Sequence, residues 1–336
     1  MRLATPFLAL VMLSGCHLYF GDGRDDGGGG DDDIVDAPWW VTDGSIDAPW
    51  IDGGPPMDGG MAVPRPTAVM RANSIVNGAW VDQGLADWSC MGTPTSDQAS
   101  TGAIQLSGRV LDYPTTNGVG GAAILAYAPS TSAQVGSGMT ATNGASRGSF
   151  TMTLGMLPST SRRYTFAITG QNFPGTYLLE QYIAPGATAT RDLQAVSAPT
   201  LNSLAQYVGL VRNPANAIAL GDITDCQGRA VSNAVVIASR TRSQTDIIGG
   251  ARTFYFSGNS SNVPVTNQQS PFSNLDGKFM ILDVPPITAG YAVQVLGFRT
   301  QAELDAQTLR LVAQVWSPAN GGTVSIAPYQ PRRQGQ

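Results

Sequence analysis

The sequence predicts an all-β protein: a body of two tandem antiparallel β-sandwiches behind an acidic, low-complexity leader. Three observations carry this. After residue 102 apolar and polar residues alternate with period two, in runs separated by turn signals at short spacing. Charged residues make up only 13% of the chain, against roughly a quarter in an average globular domain. The strand pattern of the first half then recurs, in order, in the second.

Residues 1–15 hold Arg2, an apolar run from Leu3 to Leu13, and the small residues Ser14 and Gly15 before Cys16. That is the layout of a secretory signal peptide, and the run is too short to span a bilayer comfortably. Leu13-Ser14-Gly15-Cys16 resembles the lipobox of bacterial lipoproteins. The resemblance implies that Cys16 is lipidated, becomes the first residue of the mature chain and anchors it to a membrane. His17 follows Cys16, in place of the Asp that marks inner-membrane retention in that family's best-known sorting pattern. By the same resemblance the outer membrane is expected, in either leaflet.

Residues 16–64 read as a disordered tether. Gly27 to Gly30 and Asp31 to Asp33 cannot build a core. Residues 22–60 carry eleven Asp and one Arg, whereas residues 61–336 carry seventeen basic and thirteen acidic groups. The tether is thus strongly acidic and the body mildly basic, with none of the clustering that marks a nucleic-acid surface. The tether has no Glu, which an EF-type calcium loop requires. Ile34-Val35-Asp36-Ala37-Pro38-Trp39 is echoed by Ser45-Ile46-Asp47-Ala48-Pro49-Trp50, a degenerate short repeat read here as drift within a linker.

Residues 65–101 are expected to form an N-terminal extension docked on the first sandwich, with Trp80 and Trp88 as packing residues. The first sandwich spans 102–199, with strands at Ile104–Val110, Gly120–Tyr127, Gly148–Leu154 and Arg163–Thr169. Residues 200–216 form a helical connector: Leu201, Leu204, Ala205 and Val208 share one helix face, with Asn202 or Ser203 as the cap. The second sandwich spans 217–328, with a hairpin signal at Asp276-Gly277 and an insertion over 240–271, and 329–336 is a tail.

Gly221 to Asp225, Asn233-Ala234-Val235-Val236, Asp276-Gly277-Lys278-Phe279, and Val284-Pro285-Pro286 with Gly290-Tyr291 follow one another in the second half. In that order they resemble the carboxypeptidase regulatory-like, or prealbumin-like, modules. The first half is similar through Gly108 to Asp112, Gly121 to Ile124 and Gly148-Ser149-Phe150, but lacks the Pro-Pro close. The resemblance implies Greek-key sandwiches with a binding, spacing or stabilising role. Two enzymes of that fold, the transthyretin-like hydrolases and the intradiol dioxygenases, both depend on His. His17, in the leader, is the only His in this chain, so neither activity carries over, and no cofactor is expected.

The same His count removes any Ser-His-Asp triad, Cys-His pair or His-based zinc site from the body. Asp222, Asp225, Asp276 and Asp283 are the acidic groups open to acid/base work, but no activated nucleophile or base pair is recognisable among them, and the chain is expected to be non-catalytic. With Cys16 lipidated, Cys90 and Cys226 remain, and export favours a disulfide between them over two unrelated buried thiols. In the strand Phe254-Tyr255-Phe256 the two Phe share a face and Tyr255 points the other way. Tyr255 is therefore the one candidate contact for a polysaccharide. An envelope protein is the other candidate partner, through the loops at 130–147 and 240–271.

Overall fold

The computed structural model describes residues 63–334, apart from 114, 130, 131, 159, 160, 245 and 260–262. The chain begins with a hairpin, β1 (Arg71–Val76) and β2 (Ala79–Leu85). The first half continues through β3 (Ile104–Asp112), β4 (Ala123–Ala128), β5 (Ala133–Met139), β6 (Ser149–Leu154), β7 (Tyr164–Gly170), β8 (Phe173–Gln181), β9 (Thr188–Thr190) and β10 (Leu193–Ala195). After α1 (Ala198–Tyr207) come β11 (Ala217–Ile223), β12 (Ala230–Ser232), β13 (Val235–Ser239), β14 (Arg252–Phe256), β15 (Pro264–Val265), β16 (Lys278–Val284) and β17 (Ile287–Gly297). A short α2 (Gln301–Asp305), β18 (Arg310–Ala319) and β19 (Val324–Tyr329) complete the chain.

The architecture is all-β, as expected, but the two halves share a sheet. Nine strands run in the order β15-β14-β16-β11-β19-β8-β7-β4-β5. The seam is the parallel pair β19 and β8, with Ser325 opposite Tyr177. Smaller sheets, β10-β3-β6 and β13-β17-β18, complete the layers. The pairing is mostly antiparallel, but β19 also runs parallel to β11, and β3 runs parallel to both β9 and β10.

Both faces of the nine-stranded sheet are buried in its second half. Ile218, Leu220, Phe254, Phe256, Met280 and Leu282 join the core that contains β3, β6 and α1. Their neighbours in sequence, Ala217, Ala219, Tyr255, Phe279 and Ile281, join the core under β13-β17-β18. The period-two pattern thus sorts apolar residues between two cores rather than between a core and water. Asp283, in the left-handed region at φ 60°, interrupts that alternation, so Val284 falls in the second core.

The connector differs in its bounds. Ser197 caps α1, its hydroxyl accepting from the Thr200 amide, Pro199 sits in the first turn, and the helix ends before Gly209. Asn202 and Ser203 lie inside the helix. Asp276-Gly277 does make a turn, with Gly277 at φ 66°, but it joins no hairpin: β16 pairs with β14 and β11.

Candidate functional site

The N-terminal extension docks on both halves. Its hairpin and Cys90 join the second half. Its end meets the first half as expected, Asp97 pairing with Arg163 at 2.7 Å and Ser100 Oγ accepting from the Tyr164 hydroxyl at 3.2 Å. Asn77 and Gly78 both adopt positive φ, 52° and 81°, the pairing a two-residue hairpin turn demands. The base of β1 pairs with β12, Arg71 opposite Ser232. Buried Asn73 fixes that join, its Nδ2 donating to the Ala230 carbonyl at 3.3 Å and to Ser232 Oγ at 3.1 Å. Arg71 pairs with Asp82 across the hairpin and holds its carboxyl below the ordinary range.

A clasp follows directly. Cys90 and Cys226 form a disulfide, with Cα atoms 5.6 Å apart. The Cys226 amide donates to the Asp87 carbonyl at 2.9 Å. The buried carboxylate of Asp225 accepts from the amides of Asp87, Gln227 and Arg229 and from the Arg229 guanidinium, at 2.6–3.1 Å. With that many donors, this carboxylate is an organising centre for the turn and is already saturated.

The clasp leaves the rest of the hairpin in the open. Ile75, Val76, Val81 and Leu85 are 51%, 44%, 40% and 58% exposed, and Trp80 is half-buried. Among the described residues β2 pairs only with β1, and none of them forms a strand beside its outer edge. An apolar edge strand of this kind is a template for adding a further strand. It is the candidate interaction site. Sequence reasoning passed over it, although Asn77-Gly78 between two alternating runs is a strong short-range hairpin signal.

The sequence candidates fall elsewhere. Cys16 lies outside the described residues. Tyr255 is 3% exposed, and its hydroxyl accepts from the Val236 amide at 2.9 Å. Burial pushes its phenol well above the ordinary value. The expectation of a sugar contact at Tyr255 is therefore corrected: the face opposite the two Phe is a second core, not solvent. The 240–271 insertion holds β14 and β15, with Phe254 and Phe256 buried. Much of 130–147 is the edge strand β5.

Of the four Asp candidates, Asp222 and Asp276 come together. Asp222 on β11 is paired with Lys278 on β16, and Asp276 is buried two residues before that Lys. Burial raises Asp222 to about 7, opposed by Lys278 and assisted by Asp276, and burial raises Asp276 as well. Asp222 Oδ1 and Asp276 Oδ2 accept no hydrogen bond. Burial of two carboxyls side by side favours the protonated form of each. Among the described residues no three His, Cys, Asp or Glu are grouped to hold a metal. Asp283 is separate, accepting from the Asn213 amide at 3.0 Å.

Fold and clasp together define a class: an all-β protein with a covalently pinned N-terminal hairpin. No family model matches the chain, and none of the curated proteins matches it. Among solved structures it is similar to a mutant of the shaft pilin SpaA from Lactobacillus rhamnosus GG. The identity is 12%, covering 69% of this chain and 99% of the pilin, with a TM-score of 0.19.

Proposed function

We propose that this is a lipid-anchored protein of the outer membrane whose all-β body serves a binding or structural role and catalyses no reaction. The observation that carries the reading is the pinned hairpin: a disulfide, suited to an oxidising compartment, fixes an apolar edge strand at the surface. Leu13 to Cys16 supports the anchor, and an acidic tether supports presentation of the body away from the membrane. The partner is an envelope protein that offers an extended segment. A polysaccharide loses its motive with Tyr255 inside a core.

Two measurements test the reading. Cys16→Ser should abolish acyl labelling and release the protein from the outer-membrane fraction, and unchanged labelling would refute the anchor. A photo-crosslinker at Val81 should give one discrete adduct in intact envelopes. A crosslinker at Val211, itself 95% exposed, serves as the control. Equal yields at the two positions would refute the docking edge.

A further inference from the structure

We propose that the free edge of β2 is occupied by this chain's own tether, through the repeated segments Val35–Trp39 and Ile46–Trp50. The inference rests on the reading of the hairpin as a docking edge and names an internal occupant that an external partner displaces.

Strand geometry decides which atoms are available. Across the Asn77-Gly78 turn, Val76 faces Ala79, Ser74 faces Val81 and Ile75 faces Trp80. In a two-residue hairpin the residues flanking the turn exchange hydrogen bonds, and alternate pairs follow suit. Ala79 and Val81 therefore bond inward to β1, while the backbone groups of Trp80 and Asp82 point outward. An added strand must supply donors and acceptors at every second residue.

Each repeat has the pattern β-branched residue, Asp, Ala, Pro, Trp. Proline has no amide hydrogen, so in a sheet it is confined to an edge with its nitrogen turned away from the neighbour. That requirement fixes the register. Pro38 and Asp36 turn outward, and Val35, Ala37 and Trp39 bond to β2. In the second repeat Ile46, Ala48 and Trp50 take the same places. In an antiparallel pair directly opposed residues share a face. The apolar side chains of either repeat then lie on the face that carries Ile75 and Trp80. Ala37 and Ala48 each precede a proline, which disfavours the helical region and favours extended backbone. The outward-turned proline also caps the sheet against a further strand.

Chain length permits the contact. Trp50 stands thirteen positions before Val63, a reach of up to about 45 Å. Arg71, at the hairpin base, stands eight positions after Val63, so it is at most about 29 Å from it. Val63 itself packs beside Val235, Ile237 and Leu296 of the second half, so the tether enters the body on the half that carries the hairpin.

The test compares residue-resolved hydrogen exchange of the full-length protein with that of a variant carrying Val35→Asp, Trp39→Asp, Ile46→Asp and Trp50→Asp. The amides of Trp80 and Asp82 should exchange at least tenfold faster in the variant, with β17 unchanged as the control for folding. A synthetic peptide of residues 45–51 should restore the protection. Equal exchange at Trp80 and Asp82 in the two proteins would overturn the proposal. So would protection that rises with protein concentration, which assigns the edge to a second copy, or that requires added phospholipid vesicles, which assigns it to a lipid surface. Failure here leaves the Val81 crosslink standing. A missing crosslink with slow exchange at Trp80 removes the external partner and keeps the internal one.

Discussion

Replacing both cysteines, Cys90→Ser with Cys226→Ser, opens the clasp and leaves every strand in place. The bridge joins residues 136 positions apart, and the chain-entropy relation gives about 5 kcal/mol for a loop of that length. Residual structure in the denatured chain lowers the loss, and two features keep the folded extension docked without the bond. The β1–β12 ladder holds the same extension without the bond. Asp225 ties Asp87 to the same turn. We therefore expect a loss of about 2–4 kcal/mol, a large share of a total stability of roughly 5–15 kcal/mol. Urea unfolding followed by tryptophan fluorescence measures it, on the oxidised protein, the reduced protein and the double variant. The reduced and variant proteins should agree. Both should show a lower midpoint and a steeper slope, because the unbridged denatured chain is more expanded. A loss below about 0.5 kcal/mol would refute the loop argument. Two thiols open to alkylation in the native, non-reduced protein would refute the pairing itself.

Two further substitutions probe the cores. Tyr255→Phe deletes the acceptor for the buried Val236 amide and should cost about 1–3 kcal/mol in urea unfolding. A neutral result would place the hydroxyl outside the core. Asp222 has its pKa raised from 3.8 to about 7 in the folded protein. The native state therefore keeps a proton that the unfolded chain has released. Stability should fall as pH climbs from about 4 to about 7, by at most about 1.4 kcal/mol per pH unit, and level off above. Asp222→Asn should flatten that stretch of a melting-temperature profile, and an unaltered slope in the variant would rule Asp222 out as its source.

Strand positions were legible in the sequence wherever alternation was clean and turns carried Gly or Asn, as at β3, β4, β6 and β16. What alternation does not say is whether the second face meets water or another layer. Tyr255 shows the cost of that ambiguity, since the same pattern fits an exposed tyrosine and one buried between sheets. The partner of the hairpin that opens the N-terminal extension was illegible for a related reason. Pairing with β12 is a contact between Arg71 and Ser232, far apart in the chain, and neither residue type announces it. The Cys90–Cys226 bridge was readable because elimination left two thiols. The hairpin was readable too, in Asn77-Gly78, and was passed over because its strands are exposed and break the expected in-out pattern. Asp222 could be named as a candidate, but its proximity to Asp276 depends on the turn that delivers Asp276 beside β11.

The seam between the halves sets an order of events during synthesis. β19 lies between β11 and β8 in the nine-stranded sheet, yet among the described residues it is the last of these nine strands to be synthesised. A chain growing from its N-terminus therefore completes eight of the nine strands while β8 and β11 still present open ladders. The two halves cannot zip together until residues 324–329 emerge. Over that interval each open ladder is a site for pairing with the wrong chain. Closure by a final, central and parallel strand also joins segments far apart in sequence, which makes it a slow step. A chain cut short by even its last dozen residues would lose the strand that makes one sheet out of two.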